Sequence, residues 1–159
     1  MNWQEVTSHP SLRDLPFKIE LNEYGAILMN PVRLNHSAFQ GEIGHLLRLQ
    51  RPEGIVLAEC AIWTPMGTKV ADVAWFTLER WQTVKGKLEA TVAPEVCVEV
   101  TSMSNTRDEM KKKRQLYFAQ GAQEAWICDE YGALSFFNTR RQLKRSQLFP
   151  SFPAQIELR

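Results

Sequence analysis

At 159 residues and a formal net charge of +1, the chain is long enough for one domain with a full hydrophobic core and no need of disulfides. The composition is that of an ordinary globular protein, without low-complexity tracts or repeats at solenoid spacing, and no apolar run approaches the roughly 18 residues of a membrane span. Near-neutral charge argues neither for nor against a nucleic-acid partner, so the distribution of charge matters more than its sum.

The opening MNWQEVTSHP lacks the basic-then-apolar order of a secretory leader. Cys60, Cys97 and Cys128 are odd in number and each lies among apolar neighbours. Buried, reduced thiols in the cytoplasm are therefore expected, and no Cys-x-x-Cys or His-x-x-x-His spacing suggests zinc.

In chain order, residues 1–14 read as a loosely held lead-in with at most a helical turn. Residues 17–29 (FKIELNEYGAILM) read as a β-hairpin turning near Tyr24 and Gly25, closed by Pro31. A helix is expected over 35–50, capped by Asn35 or Ser37, with Phe39, Ile43, Leu46 and Leu47 on its buried face. Glu42 lies at the margin of that face, where a solvated glutamate is equally natural. Strands are expected over 55–63 (IVLAECAIW) and 70–76 (VADVAWF), then a polar excursion over 77–91. On the second strand Asp72 shares its parity with Val70, Ala74 and Phe76, and both faces are otherwise apolar.

Pro94 opens the next strand, where Val96, Val98 and Val100 face one way and Glu95, Cys97 and Glu99 the other. Glu95 is near the strand's start and easily solvated; Glu99 is at its far end. A helix over 106–120 follows, ending at Gly121, which suits a left-handed C-cap. Met110, Lys113, Leu116, Tyr117 and Gln120 share one stripe of it, so Lys113 faces the sheet while Lys111, Lys112 and Arg114 project elsewhere. Strands over 124–129 and 134–138 and a short tail strand over 154–158 complete an α/β fold with a β-α-β unit between the strands of Glu99 and Trp126.

Asp72 is the lone acid on its strand face, and Glu99 is the acid at the far end of its own. Two buried carboxylates at neighbouring strand ends repel, and a divalent cation relieves that conflict. Hard oxygen donors favour Mg²⁺ or Mn²⁺, with waters and a substrate phosphate completing the shell. Lys113 can then orient a water or offset charge in the transition state of phosphodiester hydrolysis. The plain alternative is structural: Asp72 capping a turn, Glu99 meeting the next helix, Lys113 pairing with either. Lys111, Lys112 and Arg114, with a second basic cluster at Arg140, Arg141, Lys144 and Arg145, suit either a phosphate-facing surface or an ordinary solvated face.

The order of Asp72 in VADVAW, Glu99 in CVEVTSMSN, Lys113 in KRQLYFAQG and then AWICD resembles the Uma2 family of restriction-endonuclease-like proteins, within the PD-(D/E)xK nuclease superfamily. The resemblance spans nearly the whole chain. It implies a single restriction-endonuclease-like domain over residues 1–159, with a mixed central sheet flanked by helices and an N-terminal β-hairpin. It further implies a Mg²⁺- or Mn²⁺-dependent nuclease acting on DNA, with RNA still open. Asp72 and Glu99 would be metal ligands, Lys113 catalytic, and Glu42 an additional carboxylate from the first long helix. Two departures stand out. Ala71 replaces the proline of the motif, and Thr101 occupies the usual lysine position two residues after Glu99, a role that Lys113, four residues before Tyr117, would take over. The alternatives on the same fold are a silent nucleic-acid-binding module and an interaction domain. The latter would dimerise through the tail strand or through Phe136, Phe137, Phe149 and Phe152, read as exposed.

Overall fold

The structure, a computed structural model, describes residues 1–159. The lead-in is more ordered than expected: helix α1 (Trp3–Ser8) is closed by a capping box between Asn2 and Glu5, and a 3₁₀ turn spans Pro10–Leu12. Strands β1 (Phe17–Leu21) and β2 (Ile27–Pro31) pair antiparallel as the hairpin. Helix α2 covers Leu34–Gln50, so neither Asn35 nor Ser37 caps it; Arg33 holds that position without a side-chain bond.

The main sheet contains β3 (Ile55–Ile62), β4 (Lys69–Phe76), β5 (Val96–Val100), β6 (Glu124–Cys128), β7 (Leu134–Asn138) and β8 (Gln142–Leu143), side by side in that order. Only β5 and β6 run parallel, because helix α4 (Arg107–Ala119) carries the chain between them; every other neighbouring pair is antiparallel. The polar excursion contains a helix the sequence reading left out, α3 (Leu78–Val84), capped by Thr77. Its seven residues are too few for a clear periodic signal.

Two apolar layers sandwich the sheet. On one side Phe39, Ile43 and Leu47 of α2 pack on Val73, Trp75, Val96, Val98 and Trp126. On the other, Val84 of α3 and Tyr117 of α4 pack on Ala74, Phe76 and Cys97. The alternation read along β5 is therefore real, and all five of its residues are buried because helices cover both faces. Cys60, Cys97 and Cys128 are free and buried. No helix is long and apolar enough to cross a membrane.

Three expectations need correction. The tail forms no regular strand: Gln155 bridges Ala133, and Ile156 N–H donates to the Gly132 carbonyl. Phe136, Phe149 and Phe152 are not exposed but fill the α2-side core around Trp126, while half-buried Phe137 lies under the Arg114 guanidinium at 3.7 Å. These rings need the edge-to-face partners the core supplies. Glu95 is buried rather than solvated, accepting from both the amide and the hydroxyl of Thr77, with Arg80 Nε 3.6 Å away. One further buried acid ties the tail down. Glu124 accepts from Trp126 Nε1 (2.8 Å), Ser146 Oγ (2.7 Å) and the amides of Gln147 (2.7 Å) and Leu148 (2.9 Å).

Candidate active site

Strand register brings the two acids together. Val73 pairs with Val98 across β4 and β5, so the next step of that antiparallel register sets Asp72 opposite Glu99. Both side chains lie on the α4 side and are buried. The Thr106–Glu109 capping box starts α4, and its buried stripe of Met110, Lys113 and Tyr117 delivers an amine and a phenol to Glu99. Lys113 Nζ lies 3.0 Å from Glu99 Oε1, and Tyr117 donates to the same oxygen at 2.6 Å.

The hairpin completes the cluster. Its Lys18 and Glu20, two apart on β1, share one face. Lys18 Nζ stands 3.0 Å from Asp72 Oδ1 and 3.1 Å from Glu99 Oε2, bridging the acids. Glu20 meets Lys113 Nζ at 2.8 and 3.0 Å through its two oxygens and accepts the Val70 amide at 2.6 Å. Asp72 Oδ2 accepts the Val100 amide at 2.7 Å and faces His36 Nε2 at 3.3 Å. The other ring nitrogen, His36 Nδ1, is buried without a partner.

The hairpin reaches the site because its turn end docks over Gly67. There φ is +91°, and a Cβ would lie 2.3 Å from the Leu21 carbonyl oxygen. Leu21 N–H donates to the Thr68 carbonyl, and Lys69 Nζ donates to the Leu21 carbonyl at 2.7 Å. Only glycine combines that backbone with so close an approach.

Burial and pairing set the charges. Burial pushes the Lys18 ammonium toward neutrality, but Glu99 and Asp72 beside it win and hold it firmly protonated. For Asp72, burial favours the neutral acid, yet Lys18 and His36 hold it well below the usual carboxylate range. Glu20 is likewise lowered, Lys113 and Lys18 outweighing its burial. Glu99 goes the other way: burial raises it, and Lys113 and Lys18 offset that only in part. Desolvation, with Glu99 alongside, pushes the Tyr117 phenol well up, so it stays a donor.

Lys18, Glu20, His36, Glu99 and Lys113 of the cluster line a cleft of about 1090 Å³, with Asp72 and Tyr117 fully buried beside them, and the cleft wall also carries Arg33, Lys69 and Lys112. Of the residues singled out in the sequence, Asp72, Glu99 and Lys113 converge. Glu42 does not join them: it is half-buried on α2 and does not line the cleft, and the α2 residue facing Asp72 is His36. Lys112 lines the cleft, Lys111 is exposed outside it, and Arg114 stacks on Phe137. Lys18 and Glu20 escaped the sequence reading, and His36, which reads there as a surface or cap residue, faces Asp72 instead. The alternation of Phe17, Ile19 and Leu21 with Lys18 and Glu20 was visible, but it also describes a hairpin with one face in water.

Asp72 Oδ1 and Glu99 Oε2 are the donors that could hold a divalent cation, since both already converge on one positive charge. No group of three His, Cys, Asp or Glu side chains is arranged around a metal position. Two carboxylates, with waters and phosphate supplying the rest, match the way Mg²⁺ is usually held.

Comparison with known proteins agrees with this architecture. The model of the Uma2 family, described as "Putative restriction endonuclease", matches residues 3–155. A crystal structure described as "a putative nuclease belonging to DUF820", from Anabaena variabilis, superposes with a TM-score of 0.75 at 17% identity. The match covers 95% of this chain and 92% of that one, a likeness of fold. No curated protein matches the chain.

Proposed function

The chain belongs to the Uma2 family, and from that membership we propose that it is a metal-dependent endonuclease hydrolysing phosphodiester bonds in DNA. The observation that carries this reading is the convergence of Asp72 Oδ1 and Glu99 Oε2 on a single cation position, with Lys113 3.0 Å from the other Glu99 oxygen. A Mg²⁺ or Mn²⁺ ion bound by these two carboxylates would polarise the scissile phosphate and acidify a coordinated water. Lys113 supplies a fixed positive charge for the negative charge that develops on the phosphate. Glu20 is a positioning residue: it holds the Lys113 ammonium through both of its oxygens. The cleft wall carries Lys69, Lys112 and Arg33, which suit contacts to phosphates, alongside Glu23, Glu109 and Glu130. The absence of lysine at Thr101 is compatible with this reading, because Lys113 reaches the same acid from the helix.

The test is cleavage of supercoiled plasmid with Mg²⁺ or Mn²⁺ by the wild type, Asp72→Asn and Glu99→Gln. Both variants should lose metal-dependent cleavage while keeping native circular dichroism. Undiminished cleavage in both would end this mechanism.

A second reading is favoured by one observation: the Lys18 ammonium stands between the two carboxylates, where the cation would be. On that reading the chain is a silent nucleic-acid-binding module, showing salt-sensitive DNA binding and no turnover at any metal concentration. A homodimer built on exposed aromatic rings loses its basis, since three of the four rings named for it are buried. Dimerisation by another surface is decided by light scattering.

A further inference from the structure

We propose that Lys18 is a tethered counter-ion that substitutes for the divalent cation between Asp72 and Glu99, and that metal loading displaces its ammonium into the cleft. The proposal rests on the hydrolytic reading above for the identity of the incoming cation.

The hydrogen-bond pattern divides the four oxygens of the two acids into two kinds. Asp72 Oδ2 is anchored by the Val100 amide and faces His36, and Glu99 Oε1 is anchored by Tyr117 and Lys113. Asp72 Oδ1 and Glu99 Oε2 have one partner between them, Lys18 Nζ. When that amine leaves, two lone-pair sites aimed at a common point become free, and the other two oxygens stay held. The acids therefore keep their orientation while their cation is exchanged.

Charge supplies the driving force. Asp72, Glu99 and Glu20 bring three negative charges to the cluster, and Lys18 and Lys113 bring two positive ones. A divalent ion added with both lysines in place would leave a surplus positive charge in a buried site, at high cost. With Lys18 withdrawn, the ion and Lys113 balance the three carboxylates. Displacement of one ammonium by one divalent ion thus leaves the cluster neutral. Lys18 has somewhere to go: it lines the cleft, and its four-carbon stem can lie along the wall while the amine reaches water or a phosphate. In the absence of metal the same amine keeps two facing carboxylates from repelling each other.

Calorimetric titration of MnCl₂ into the full chain, without nucleic acid, tests this. Lys18→Met and Lys18→Gln should each bind Mn²⁺ about tenfold more tightly than the wild type, since neither variant must expel a cation first. Equal or weaker binding by variants with native circular dichroism overturns the proposal and leaves the hydrolytic reading standing. Binding by the variants but not by the wild type overturns displacement in the natural chain, and with it the hydrolytic reading there. No binding by any of the three overturns both. A measurement on the wild type needs no variant to fold: reductive methylation with formaldehyde and cyanoborohydride, mapped by mass spectrometry. Methylation of Lys18 should rise severalfold on adding Mn²⁺ while that of Lys113 does not; an unchanged Lys18 overturns the proposal.

Discussion

Lys18 and Glu99 are 81 residues apart in the chain, and their charged atoms are 3.1 Å apart in the fold. The contact joins the peripheral hairpin to the central strand of the sheet. The floor of the cleft is therefore a charge cluster built from five elements, β1, α2, β4, β5 and α4, and its members depend on one another. A buried pair that loses one partner typically costs about 3–5 kcal/mol, so substitutions here must separate loss of chemistry from loss of fold.

Lys113→Met keeps the buried stem and removes the charge. Metal-dependent cleavage should fall by about a hundredfold or more, with Mn²⁺ still bound. Plasmid cleavage rates set beside a calorimetric Mn²⁺ titration check both halves. Loss of metal binding alongside activity would mean that Lys113 shapes the carboxylates rather than serving the reaction.

Tyr117→Phe leaves the ring in the α4-side core and deletes the hydroxyl that donates to Glu99. A hydrogen bond to a buried charged acceptor contributes about 2 kcal/mol, and that loss is expected in urea unfolding, with the slope against urea unchanged. A midpoint equal to that of the wild type would show that Lys113 alone satisfies the oxygen.

The acid limb of the stability curve has a predicted shape. Glu20 is held below its ordinary 4.5, so its contribution is complete above that value and is lost as pH falls through the lower folded value. Asp72 behaves alike below 3.8. Glu99 has the opposite sign: raised above 4.5 in the fold, it takes up its proton sooner there than in the unfolded chain, and stability rises slightly as pH falls through that window. Urea midpoints measured across the acid range should rise a little and then drop. Glu20→Gln should flatten the drop, and Glu99→Gln should remove the rise.

Gly67→Ala tests whether the hairpin is needed at the site. The new methyl would meet the Leu21 and Asn22 carbonyl oxygens at 2.3 and 2.4 Å, with φ at +91°. A cost on the order of 2 kcal/mol is expected, concentrated where the hairpin docks. Amide exchange should quicken at Leu21, with cleavage falling in step. Unchanged exchange there would show that the turn accommodates the methyl by moving elsewhere.

Much of this molecule was legible in its sequence, for identifiable reasons. The hairpin, α2, the five longer sheet strands and α4 carry strong periodic patterns bounded by Pro and Gly, and each falls within a residue or two of its expected place, or, for β5, just inside it. Asp72 and Lys113 could be named because each interrupts an apolar face, and Glu99 because it ends its strand just before the loop to the next helix. Lys18 and Glu20 interrupt nothing: they lie on the polar side of an amphipathic strand, and only tertiary docking turns that side inward. Glu42 lies off the cleft because helical periodicity gives a face but not the level along the helix at which the sheet's end falls, and that end meets the first turn of α2 at His36. The tail misled for a related reason. Residues 154–158 do meet the sheet through the Ala133–Gln155 bridge and backbone bonds of Leu134 and Ile156, but the pairing stops there, and Glu124 fastens residues 146–148 instead.

That last arrangement bears on the order in which the protein can mature at the ribosome. Every residue of the charge cluster has been synthesised by the time Tyr117 emerges, but the rings of Phe149 and Phe152, which close over Trp126, are made later. Until then the nascent chain leaves a large indole open to water, so the half-made protein presents apolar surface on which it can misassociate.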